Sequence, residues 1–162
     1  MKLHFLFIFL LSILICSCGN DTAPKSSTAT PSPATTTGAT EKLPSIPVSI
    51  LQKIFDNCDY VDYLFYESNF SMSMNNKGSI QQILTHVSQT VPVIDNSCKS
   101  IGRVFYEING ETEIEAEIYF SDKCQYFVFM KNNKRIYANN ITPDGVAHFQ
   151  NIFKQASGMG NG

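Results

Sequence analysis

From Ile101 to Asn139 the chain alternates apolar and polar residues, through runs at 101–108, 112–120, 125–131 and 134–139 joined by very short links. Links of that length cannot carry a parallel crossover, which takes a dozen or more residues. Neighbouring runs must therefore pair antiparallel in chain order, as a meander. Register is the next constraint, because a slip of one residue carries a whole row of side chains to the opposite face. A two-residue turn at Asn109-Gly110 would set Val104, Tyr106 and Ile108 against Glu115, Glu113 and Glu111. One extra residue at the turn sets them against Ala116, Ile114 and Thr112, and this bulged turn is the expectation. At Asn132-Asn133 a two-residue turn suffices, since Asn tolerates the left-handed backbone, and it places Phe127 and Phe129 opposite Ala138 and Ile136.

Upstream, Ile50, Leu51, Ile54, Phe55 and Cys58 recur at helical spacing, which predicts a helix over 47–58 with Ser45 as a cap and Pro47 in the first turn. Residues 60–67 and 69–74 read as a hairpin of two strands. Ser79 with Gln82 forms a capping-box pattern ahead of Ile80, Ile83, Leu84 and Val87, predicting a second helix that runs to about Thr90. At the C-terminal end Thr142 caps a third helix, Pro143 supplies its first-turn geometry, and Asp144 complements the positive end of its dipole. Val146, Phe149, Ile152, Phe153 and Ala156 form its apolar stripe. The order is α-β-β-α-β-β-β-β-α, which makes residues 44–157 a single α+β domain. Its antiparallel sheet joins the meander to the N-terminal hairpin and packs against about three helices. Residues 158–162, GMGNG, are expected to fray.

Two different segments precede that domain. Met1–Cys18 holds one cation, Lys2, then an apolar run from Phe5 to Ile15 that is too short to span a bilayer, so residues 1–17 read as a removable export signal. Residues 19–43 are rich in Thr, Ser, Ala and Pro, carry no aromatic residue and have no apolar period. Such a stretch cannot bury enough surface to offset its ordering entropy, and it reads as a disordered tether. Within the signal, Ile15, Ser17 and Cys18 match the aliphatic, small and acceptor positions of the segment that resembles the signal of bacterial lipoproteins. That resemblance implies diacylglyceryl on Cys18, cleavage before it, and attachment to the membrane of a cell envelope. Gly19 and Asn20 lack the aspartate that in similar lipoproteins favours inner-membrane retention, so the resemblance implies the outer membrane ahead of the inner, with the leaflet open. Asn69-Phe70-Ser71 and Asn140-Ile141-Thr142 would be glycosylation sites in a eukaryotic secreted protein, a context that this signal argues against.

Charge narrows the partners. Losing residues 1–17 removes Lys2 alone from 12 basic and 14 acidic residues, leaving 11 and 14, a net charge of −3. Nothing here is basic enough for nucleic acid. Glu111, Glu113, Glu115 and Glu117 alternate along one strand, yet carboxylates about 6.6 Å apart on a strand do not converge on a cation. Asp56, Asp59 and Asp62 match no EF-hand spacing, and no metal or cofactor is expected. Gly-x-Ser-x-Gly, His-Glu-x-x-His, Cys-x-x-Cys and phosphate-loop patterns do not occur in the sequence. His86 and His148, on helices and off the strongest stripes, read as solvated, so no catalytic set is expected.

The sheet face that carries the glutamates also holds Phe105, Tyr119, Tyr126, Val128, Met130 and Tyr137, with Arg103 and Arg135 among them. Tyrosine and arginine on an open sheet suit recognition of a protein or a glycan. The competing reading covers this face with the first helix or the first hairpin. With Cys16 lost and Cys18 lipidated, Cys58, Cys98 and Cys124 remain in an oxidising compartment. Cys98 and Cys124 fall on one edge of the meander and form the first candidate pair. Pairs with Cys58, and no bridge at all, stay open, although Cys58 lies on an apolar stripe and reads as buried. The expectation is a membrane-tethered, non-enzymatic module binding an envelope protein or glycan. The alternative is a small envelope enzyme or chaperone-like accessory with a site in a helix–sheet cleft.

Overall fold

A computed structural model describes residues 41–67 and 70–159. The signal, Cys18, nearly all of the tether and residues 160–162 lie outside the described residues. The elements are α1 (Val48–Asn57), β1 (Tyr60–Phe65), β2 (Ser71–Met74), α2 (Lys77–Leu84), β3 (Ser100–Ile108), β4 (Glu111–Phe120), β5 (Gln125–Lys131), β6 (Lys134–Asn140) and α3 (Pro143–Met159). The class is α+β, in the order read from the pattern. All six strands form one antiparallel sheet, β2-β1-β3-β4-β5-β6. β1 stitches the hairpin to the meander by pairing Val61 with Tyr106 and Tyr63 with Val104. At the β1–β3 seam Gly102 is required, since a Cβ there would lie 2.5 Å from the Leu64 carbonyl oxygen.

The two hairpin registers depart from expectation in an informative way. Val104 opposes Ala116 and Tyr106 opposes Ile114, as the bulged alternative requires. The bulge itself, however, is inside the ladder. Asn109 (φ 55) and Gly110 (φ 78) form a two-residue turn that pairs Ile108 with Glu111, and the extra residue is Glu113, between the Tyr106–Ile114 and Glu107–Thr112 pairs. A turn with two positive φ angles matches the strand twist, so the odd residue is absorbed further along. It also interrupts the expected row of four carboxylates. The turn at Asn132-Asn133 has two residues, with φ 52 and 60, as expected. Yet Ile136 is bulged out between the Met130–Arg135 and Phe129–Tyr137 pairs, so Phe127 opposes Asn139 and Phe129 opposes Tyr137, instead of Ala138 and Ile136. The shift delivers Ala138, fully buried, opposite Val128.

One face of the sheet carries the helices. Fully buried Val61, Val104, Ala116, Ile118 and Phe129 meet Ile54 of α1, Ile80 of α2 and Phe149 of α3. Phe149 is the hub, with ring centroids 5.4 Å from Phe120, 6.1 Å from Phe127 and 6.2 Å from Tyr63. Phe153 extends the cluster to Phe65 at 5.3 Å and Phe120 at 5.9 Å. Thr142 caps α3 as expected, its hydroxyl accepting from the Gly145 N–H at 3.2 Å.

Other helix ends differ. α1 has no side-chain cap, and the Ser45 hydroxyl is taken by the Asn139 amide at 2.6 Å. Asn76, rather than Ser79, caps α2 by accepting from the Ser79 N–H at 3.1 Å. α2 stops at Leu84, short of Thr90, because Val87 leaves to bridge Ile141 and the His86 carbonyl accepts from Thr142 N–H at 2.8 Å. These non-local bonds outweigh continued helix.

The β6 edge is closed by the chain itself. Ala138 N–H donates to Pro44 and Asn140 N–H to Thr90, both at 2.9 Å. Buried Asn139 ties the same segments together, accepting from Ile46 N–H at 2.9 Å and donating to the Ser88 carbonyl at 2.7 Å.

Candidate binding face

The second face of the sheet divides into a closed and an open half. Over β4, β5 and β6, Ile94 and Leu43 pack onto Tyr119, Tyr126, Val128 and Ala138, with Tyr119 5% and Tyr126 3% exposed. The cover is thus the strand-like lead-in before α1 and the loop between α2 and β3, not α1 or the first hairpin. A disulfide joins Cys98 of that loop to Cys124, immediately before β5, with Cα atoms 6.1 Å apart. Cys58 is free and buried, its thiol donating to the Tyr60 carbonyl at 3.3 Å, and burial pushes its pKa up.

Within the closed half, Tyr119 and Tyr126 stack at 4.7 Å between ring centroids. One oxygen of Glu117 accepts from Arg135 Nη2 at 2.8 Å, Arg135 Nε at 3.2 Å and the Tyr119 hydroxyl at 2.9 Å. Arg135 reaches on to Glu41 at 2.9 Å and lies over the Tyr119 ring. Burial, followed by the Glu117 carboxylate, drives the Tyr119 pKa well up. Burial alone would lower the pKa of Arg135, but Glu117 and Tyr119 outweigh it and raise it. The arrangement is a charge network that binds the lead-in to the sheet, so Tyr119 and Tyr126 are buried where recognition was expected, whereas Arg135 is engaged by Glu117 and Glu41 with 33% of its side chain still exposed. Tyr137 is a correction of another kind: the Ile136 bulge pairs it with Phe129, so it packs against the helix-bearing core on the opposite face.

The open half lies over β2, β1 and β3. There Tyr60, Asp62 and Leu64 of β1 stand beside Glu107, Phe105 and Arg103 of β3, and Ser73 and Ser71 complete the row on β2. Leu64 is 48% and Tyr66 49% exposed, and Tyr60 stands at 36%. Arg103 donates to Glu115 at 3.2 Å and lies 3.8 Å from Glu117. Its burial would lower the guanidinium pKa, but Tyr66, Glu115 and Glu117 raise it. Next to the open half, from β3 to β5, Phe105, Glu115, Met130, Asn132 and Asn133 help line a recess of ≈ 240 Å³. A surface with carboxylates, a bordering arginine and exposed tyrosine and leucine can bury contact area and make charge-assisted hydrogen bonds.

Of the six expected face residues, Arg103 and Phe105 therefore border the open surface, Tyr119 and Tyr126 are beneath the cover, Arg135 is paired to the lead-in with a third of its side chain exposed, and Tyr137 is on the other side. Tyr60, Leu64 and Tyr66 were not singled out from the sequence. The segment Tyr60–Tyr66, YVDYLFY, is apolar on both rows, and only Asp62 hints at which row faces out. Among the described residues, no group of three or more His, Cys, Asp or Glu is placed to hold a metal ion. No described helix is long and apolar enough to cross a membrane. His86 and His148, expected in solvent, instead touch, with ring centroids 4.8 Å apart and His86 only 5% exposed. No family model matches the chain, and neither a curated protein nor a solved structure does.

Proposed function

We propose that this chain is a lipid-tethered module of a bacterial cell envelope that binds an envelope protein or glycan, without catalysing a reaction, through the open half of its sheet. The observation that carries this reading is the exposure of Leu64, Tyr66 and Tyr60 together beside Arg103, on a sheet whose other half is sealed. Large apolar side chains grouped on one face of a small domain are what a recognition surface needs. The Cys18 signal and the Thr/Ser/Pro-rich tether read from the sequence fit the reading, since the residues between Cys18 and Glu41, if coiled, would reach about 25 Å and let the domain search above a bilayer. Outer membrane attachment is part of the proposal.

The test uses the full chain expressed in a bacterial host with labelled palmitate and a photo-activated crosslinker at position 64. Label in the wild type, its loss in Cys18→Ala, and discrete crosslinked envelope species that Tyr66→Ala and Arg103→Ala reduce at least about fivefold are the expected results. Palmitate retained by Cys18→Ala would overturn the anchor, and crosslinks indifferent to both face substitutions would overturn the surface.

A further inference from the structure

We propose that His86 and His148 form an acid-sensitive latch that holds α3 on the sheet. Their rings are in contact at 4.8 Å, one from the segment that follows α2 and one from the second turn of α3. Nε2 of His148 is buried with no hydrogen-bond partner among the described residues. The first turn of α3 is seated directly on His86, for a Cβ on Gly145 would lie 2.7 Å from the His86 Cβ. Thr142 adds two bonds to the same segment, from its N–H to the His86 carbonyl at 2.8 Å and from its hydroxyl to the Thr85 carbonyl at 3.3 Å.

A neutral imidazole tolerates such a place, whereas an imidazolium must be hydrated or paired. Among the described residues, the charged or titratable groups acting on His86 are His148, which opposes its protonation, and Asp144, which favours it. The segment 85–87 adds no other such group. His148 is flanked edge-on by the ring of Phe149 at 6.0 Å, and burial alone lowers its pKa. One carboxylate can offset at most one of the two protons, so a doubly charged pair is left uncompensated.

The direction of the effect follows. Both histidines have folded pKa values below their unfolded value, so the unfolded or undocked state binds more protons. The contribution of the pair to docking is fully present above about pH 6.5 and falls as pH drops through the unfolded value toward the folded ones. Undocking α3 uncovers Phe65, Phe120 and Phe127, which Phe149 and Phe153 now cover. The latch thus converts acidification into exposure of an aromatic surface.

Hydrogen exchange on the full-length protein in detergent, corrected for intrinsic rates and compared at pH 7.5 and 5.0, tests this. The opening constant of residues 143–156 should rise about tenfold for each unit by which docking lowers a histidine pKa, while residues 111–120 stay protected. In the His86→Gln, His148→Gln double variant the rise should shrink to less than twofold. An equal rise in that variant, or none in the wild type, would overturn the latch. If the double variant does not fold, the ring proton resonances of wild-type His86 and His148 decide: midpoints below about 6.5 support the latch, and midpoints at or above that value refute it.

Discussion

Phe149→Ala is expected to destabilise the domain by about 3–5 kcal/mol, the range for truncating a fully buried phenylalanine. Phe149 has no exposed surface and its ring meets Tyr63, Phe120, Phe127 and His148. Those rings belong to β1, β4 and β5, and to α3 itself, so relaxation around the cavity would have to move several strands together. A rigid sheet resists that, which places the cost toward the upper end. Urea unfolding of the variant should show a lower midpoint with an unchanged slope. A change below about 1 kcal/mol would mean that α3 is only loosely docked. It would also deprive the acid latch of the aromatic surface it is proposed to cover.

Cys98→Ala together with Cys124→Ala should cost about 3.5 kcal/mol, the chain-entropy value for the loop closed by cysteines 26 positions apart. The consequence is local as well as global. The loop that Cys98 anchors carries Ile94, only 2% exposed, over the Tyr119–Tyr126 stack. Thermal unfolding with and without reductant should separate by at least about 10 °C for a domain of this size. Equal melting temperatures would show that the cover is held by Glu41, Arg135 and Ile94 alone.

Much of this fold was readable from the chain. Short links and a period of two dictate the meander, and Thr142, Pro143 and Asp144 mark the start of α3 without help from tertiary contacts. The failures have a common origin in interactions distant in sequence. The Glu113 and Ile136 bulges answer to strand twist and to the cover over Val128 and Ala138, neither of which leaves a local signature. α2 ends at Leu84 because Val87 and His86 bond the chain near Ile141 and Thr142, more than fifty residues away. The binding face suffered most. Tyr119 and Tyr126 sit where the lead-in and the loop at 91–98 pass, Tyr137 is turned to the other face by the Ile136 bulge, and YVDYLFY gives no period that separates the inner row of β1 from the outer. His86 failed likewise, since the first turn of α3, far along the chain, is seated on it.

The division of the second face into a sealed aromatic half and an open half is the central claim, and tyrosine nitration of the oxidised, full-length protein tests it most directly. Mild reagent followed by peptide mass spectrometry should modify Tyr60 and Tyr66 first and leave Tyr119 and Tyr126 unmodified, in keeping with exposures of 36% and 49% against 5% and 3%. Nitration of Tyr119 or Tyr126 as fast as that of Tyr66 would contradict it.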